Sequence, residues 1–218
     1  MKKIFTTAML ALLSAGAYAQ TSQGTVSVQG SMSFGSATSK TEDSLILNKT
    51  ISRGINLYPS VNYFLRDGLA VGISLGLSQD TYTNMYQQDE EESKSKSQTV
   101  SFSPYVRKYI ALTEQLHLHG TGYISVDFGN RKYKDRLESS YKETSTSSGY
   151  AIGFYPGITY FATSKLGFTA TFGNFSYSRE KSTPKNNQYQ SSSSTSKSLQ
   201  ADLSPRSISI GIGYFIAR

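Results

Sequence analysis

The sequence predicts an all-β protein, an eight-stranded antiparallel up-and-down β-barrel that crosses a membrane with its strands. Three observations point there. Apolar side chains alternate with small or polar ones over strand-length segments, the connections between segments are alternately short and long, and a proline recurs at spacings of 45, 52 and 49 residues (Pro59, Pro104, Pro156, Pro205). Successive side chains of a strand point to opposite faces, so this alternation gives a sheet one greasy and one polar face. Residues 68–78 show it most plainly. Leu69, Val71, Ile73, Leu75 and Leu77 share one parity, and Ala70, Gly72, Ser74, Gly76 and Ser78 the other. Wound as a helix, the same leucines would scatter around the whole circumference.

In chain order, a basic start (Lys2, Lys3), a short apolar run (Ala8–Leu13) and the Ala17-Tyr18-Ala19 motif come first. They predict a secretory signal peptide over residues 1–19, cleaved between Ala19 and Gln20. The run is well short of the ~20 apolar residues a spanning helix needs, so a helical anchor is rejected. Residues 20–218 then form one barrel domain. With no cysteine in the chain, a lipoprotein is excluded. The formal charge of +7 falls by two, to +5, once Lys2 and Lys3 leave. That charge is scattered among Ser- and Thr-rich connections of an exported chain, which excludes nucleic acid as the partner.

Eight segments carry the alternation. Val26, Val28, Met32 and Phe34 mark the first; Ile55, Leu57, Val61 and Tyr63, against Asn56, Tyr58, Ser60 and Asn62, the second; Leu69–Leu77 the third. The fourth sets Val100, Phe102, Val106 and Ile110 against Ser101, Tyr105, Arg107 and Tyr109. The fifth sets Leu116, Leu118, Ile124, Val126 and Phe128 against His117, His119, Thr121, Tyr123 and Asp127. Tyr150–Tyr160, Leu166–Phe172 and Ile208–Ile216 complete the set, the last through Ile208, Ile210, Ile212 and Tyr214.

The connections at 65–68, 112–115 and 162–165 are tight turns, whereas those at about 36–48, 79–98, 129–148 and 178–198 are long and polar. Short periplasmic turns and long external loops are the plan of an outer-membrane barrel. A period near 45 residues also suggests propeller blades, but each unit holds two strands where a blade needs four. Proline has no N–H for a ladder, so a bulge or a lost bond is expected at each of the four. Near Pro205 the apolar parity slips between Leu203 and Ile208, as one inserted residue would cause.

The polar parity decides which face meets lipid. It mixes bulky groups with glycines, which suits the side-chain-filled interior of a narrow eight-stranded barrel and excludes a general diffusion pore. Leu69, Val71, Ile73, Leu75, Leu77, Ile208, Ile210 and Ile212 are therefore assigned to lipid, and Asn62, Arg107, His117, His119 and Asp127 to the interior. Lys108, the one charge on the greasy parity, lies beside a short turn where its stem can snorkel. Tyr63, Phe128, Tyr150, Tyr160 and Tyr214 sit near segment ends, as an interfacial girdle requires. The alternative is a soluble periplasmic, lipocalin-like barrel with the apolar parity turned inward around a ligand.

The signal peptide, four hairpins, the related Pro59-Ser-Val-Asn-Tyr-Phe64 and Pro156-Gly-Ile-Thr-Tyr-Phe161, and the closing Ile208-Ser-Ile-Gly-Ile-Gly-Tyr-Phe215 are the features that carry a resemblance. Over its whole mature length the chain resembles the small outer-membrane β-barrel domain family of Gram-negative envelopes, of the OmpX and OmpA-barrel type. The resemblance implies an integral outer-membrane protein, often with no assigned activity. It also implies a terminal aromatic residue read by the insertion machinery; here Phe215 stands three residues before the end.

The residues able to carry chemistry are His117, His119, Asp127 and the many serines. A Ser-His-Asp triad needs its members within hydrogen-bond reach. Asp127 lies eight residues beyond His119, about 25 Å along a strand. His117 and His119 share a strand face, but no third metal ligand is suggested. Asp89-Glu-Glu-Glu92 reads as solvated loop. Arg107 and Asp127, both inward, are expected to join an internal ion-pair network, because a lone buried charge is costly. No catalytic residue, cofactor or metal is expected. The expected partners are outer-membrane lipid, the insertion machinery and a surface ligand at the external loops. An envelope enzyme with its site at the external rim is the remaining alternative.

Overall fold

The computed structural model describes residues 18–43, 46–86, 92–135, 140–185, 192–202 and 208–216, and its strands form one antiparallel sheet. A 3-10 turn, Tyr18–Thr21, precedes β1 (Val26–Asp43), β2 (Ile46–Arg66), β3 (Leu69–Tyr86), β4 (Glu92–Ala111) and β5 (Leu116–Lys134). β6 (Lys142–Phe161), β7 (Leu166–Thr171), β8 (Asn174–Pro184), β9 (Ser194–Asp202) and β10 (Ser209–Ile216) follow. From β1 to β6 each strand pairs with the next. β6 also pairs with β7, β7 with β10, and β10 with β1, so the hydrogen bonding closes on itself through eight strands.

The described strands number ten, not the expected eight: eight take part in the ring, while β8 pairs with β6 and β9, outside it. β7 lies opposite Gly157–Phe161 of β6, and β8 continues along the same strand opposite Ser145–Phe154. Between them the register slips by one residue beside Pro156, where Phe172 N still reaches the Pro156 carbonyl at 3.3 Å. Pro59 and Pro104 act more mildly. Pairing of β2 with β3 lapses at Tyr58–Pro59, and of β4 with β5 at Ser103–Pro104, with the register unchanged. A missing N–H accounts for each gap. β10 continues the line of β9, which pairs with β8 while β10 pairs with β7.

The segments expected as long loops are mostly strand. β1 and β2 pair out to Asp43 opposite Ile46, β3 and β4 to Met85 opposite Glu92, and β4 and β5 to Lys94 opposite Lys134. β1 and β2 are 18 and 21 residues long, where a membrane crossing needs about 9–11. The outer part of β1, residues 36–43, is polar on both faces apart from Ala37, so no apolar alternation betrays it, while its threonines favour extended backbone. Among the described residues, Ser33–Asp43 of β1 pairs only with β2, and β9 pairs only with β8.

The short turns lie together at the opposite end and are tightly tied. Gly68 has φ 67, its N–H meets the Thr21 carbonyl at 2.7 Å, and its own carbonyl accepts from Tyr109 N at 2.7 Å. A Cβ at this glycine would lie 2.8 Å from the Tyr109 oxygen, so the left-handed turn and the close approach both demand glycine. Lys108 bends its Nζ to the Asp67 carbonyl, 3.3 Å away.

The two faces differ sharply. Ile73 is 50% exposed and Ile212 51%, whereas Asn62 is 2% exposed and Arg107 5%. Leu75, Leu77, Ile208 and Ile210 are likewise exposed, and Leu69 and Val71 half-buried. Residues 1–17, most of the expected signal peptide, together with Asp89–Glu91, Pro205 with its parity slip, and Ala217–Arg218, lie outside the described residues.

Candidate functional site

The enclosed side chains form two tiers. At the short-turn end, Phe64, Tyr109, Phe161 and Phe215 are all but fully buried, with Ala70 beside them. Phe161 meets Phe215 edge-on at 5.0 Å and His117 at 4.9 Å, while Tyr109 lies 5.6 Å from Phe64 and 5.3 Å from His119. These spacings suit edge-to-face and tilted aromatic contacts. Each member comes from a strand end next to a turn, so one layer from six strands seals this mouth. The residue after the predicted signal adds to the seal: Gln20 is buried and its Nε2 donates to the Thr163 carbonyl at 2.8 Å.

Above the aromatic layer sits Arg107 on β4. Its Nε donates to Thr121 Oγ1 at 2.8 Å and its Nη1 to Gln29 Oε1 at 2.7 Å. Nη1 also reaches Tyr109 Oη, and Nη2 reaches Tyr155 Oη, both at 3.3 Å. The guanidinium carbon stands 5.2 Å from the Tyr105 ring centre, within cation–π range. Tyr105 in turn donates its hydroxyl to Asn62 Oδ1. A cavity of about 230 Å³ opens over this group, walled by Tyr58, Tyr123, Tyr155, Ser74 and Ser103 as well as Arg107.

Arg107 and Asp127, expected in an internal ion-pair network, do not pair with each other. Arg107 sits opposite Thr121, six residues short of Asp127 on the same β5, which is about 20 Å of strand. Asp127, half-buried, accepts instead from Ser125 Oγ at 3.1 and 3.3 Å. The guanidinium is held by hydroxyls and an amide rather than by a carboxylate. Nor do His117 and His119 approach Asp127: both lie in the aromatic layer, and neither ring nitrogen of His119 has a hydrogen-bond partner among the described residues. Among the described residues no three metal-ligating side chains converge. Glu92, from the acidic run, pairs with Lys94 on its own strand. Gln29 and Tyr155 were missed in sequence, although both lie on the polar parity that supplied the other interior residues.

The family model for the outer membrane protein beta-barrel domain matches residues 5–214. The chain belongs to that family. Its place is the outer membrane, where it contacts lipid. Among solved structures, OprG from Pseudomonas aeruginosa is 12% identical, with a TM-score of 0.52, covering 92% of this chain and 99% of that one. A major outer membrane protein from Thermus thermophilus is 14% identical at a TM-score of 0.50, covering 88% and 99%. Identities this low show the fold alone. A search among curated protein sequences finds no match.

Proposed function

We propose that this family member is a structural and surface-interaction protein of the outer membrane: an eight-stranded barrel, filled rather than open, and without enzymatic activity. The aromatic layer of Phe64, Tyr109, His117, Phe161 and Phe215 carries this reading, because buried rings in mutual contact occupy the short-turn end. In this reading the short turns are periplasmic and the extended hairpins external. Residues 1–19 are a signal peptide, Gln20 is the mature N-terminus, and the insertion machinery receives the strand ending at Ile216. Leu69, Val71, Ile73, Leu75, Leu77, Ile208, Ile210 and Ile212 face lipid. A lipocalin-like alternative would need these side chains around a ligand, and the half-exposed Ile73 and Ile212 speak against it.

The hairpin extensions support a surface role. Between them lies a second cavity of about 220 Å³, lined by Asn130, Arg131, Glu180 and a set of serines including Ser147 and Ser182. Hydroxyls and one charge of each sign suit a polar surface ligand. Planar-bilayer recording tests the filled interior: the refolded protein inserts without open-pore conductance, and steady ion currents from the wild type would overturn the reading.

A further inference from the structure

Arg107 is a buried cation whose hydrogen-bond partners among the described residues are all neutral: Thr121, Gln29, Tyr109 and Tyr155. Burying a charge without a counter-charge is costly, and neutral hydrogen bonds offset only part of that cost. The same guanidinium forms part of the wall of the 230 Å³ cavity. Its Nη2 makes a single long contact among the described residues, 3.3 Å to Tyr155 Oη, so a donor remains for a group in that space. A missing counter-charge and an adjoining space of ligand size coincide at one side chain.

We propose that the cavity over Arg107 is a binding site for a small organic monoanion, a carboxylate on a compact aromatic or aliphatic body. The charge follows from the count: among the described residues of the cavity wall, Arg107 is the one cationic side chain, and none is a carboxylate. A doubly charged phosphate would leave one charge unmatched. The body follows from the remainder of the wall, where the rings of Tyr58, Tyr105, Tyr123 and Tyr155 offer flat faces and the hydroxyls of Tyr58 and Tyr155 can bond a second carboxylate oxygen. A guanidinium matches a carboxylate through short, charge-assisted bonds about twice as strong as neutral ones. The aromatic layer closes the space on the short-turn side, making the site a blind pocket.

The site rests on the barrel reading only in that the strands must enclose it. Refolded protein is titrated by calorimetry in detergent with benzoate and, separately, with neutral benzamide. Benzoate binds saturably, and benzamide is weaker by about tenfold or more. Arg107→Gln removes that preference. Because this variant disturbs four hydrogen bonds, Ser103→Phe provides a second arm, filling the space while leaving them in place, and it also abolishes benzoate binding. Heat-modifiable gel migration certifies folding in every case. Equal binding of benzoate and benzamide overturns the site, as does benzoate binding that survives Ser103→Phe, or a folded wild type that ignores benzoate. A wild type that never acquires heat-modifiable migration overturns the barrel reading instead.

Discussion

The Arg107 guanidinium on β4 donates to the Gln29 amide oxygen on β1 at 2.7 Å, joining strands that are not neighbours in the sheet. The bond spans the interior, and it fixes the cation that the polar parity of β4 delivers there. Gln29→Leu keeps the bulk and removes the acceptor. The expected loss is about 1–3 kcal/mol, the cost of leaving a buried charged donor unsatisfied. Urea unfolding in lipid vesicles measures it, and an unchanged midpoint would show that the cross-interior bond does not contribute.

The assignment of faces is tested on two adjacent residues. A Cβ on Gly72 would stand 2.6 Å from both the Tyr105 ring and Asn62 Oδ1, and 2.7 Å from the Val61 carbonyl. With backbone among the obstacles, Gly72→Ala should cost about 1–3 kcal/mol through overpacking. Ile73→Ala, on the half-exposed face, should stay within about 1.5 kcal/mol, whereas Ile73→Arg should cost about 2–4 kcal/mol if placed mid-bilayer. Tolerance of the arginine together with intolerance of Ile73→Ala would reverse the two faces.

The aromatic layer gives a separate test. Phe161 touches both Phe215 and His117, so Phe161→Ala should destabilise by about 3–5 kcal/mol and open the short-turn mouth. Bilayer recording on the variant should reveal brief conductance steps absent from the wild type.

His119 is enclosed with both ring nitrogens lacking partners among the described residues, and Gly157 packs against its ring. Replacing it by Leu, of similar volume, removes two unsatisfied polar atoms. Stability should hold or rise by up to about 1 kcal/mol, read from the same urea series. A large loss would reveal a bond that the imidazole makes in the membrane-bound protein.

The outer hairpins should be dispensable for folding. Excising residues 83–94 and joining Tyr82 to Ser95, which already face each other across β3 and β4, through Asn-Gly should leave heat-modifiable migration intact. Loss of insertion would show that the extensions take part in assembly.

The parity of apolar residues was legible because one side of each strand must be greasy and the other packed. Asn62, Arg107, His117 and His119, assigned to the interior by counting, are all buried side chains. Strand length was not legible, because Ser36–Thr41 and Ser93–Thr99 are polar on both faces and hydrogen-bond as strands all the same. The partner of Arg107 was hidden for another reason. Gln29 lies 78 residues away, and Asp127, the obvious candidate, is too far along its own strand. Charge type can be read locally, whereas distance across the interior depends on register.

Val26 of the first strand lies opposite Ile216 of the last, so the pairing that closes the ring spans nearly the whole chain. Contacts so remote in sequence form slowly, because the entropy of joining the ends is lost before any ladder bond is gained. Closure must therefore come after every other hairpin is available. Until β10 arrives, β1 offers Val26–Met32 as a bare edge able to accept any passing strand. The order of the chain thus builds in an interval of vulnerability, which ends only when its final residues are in place.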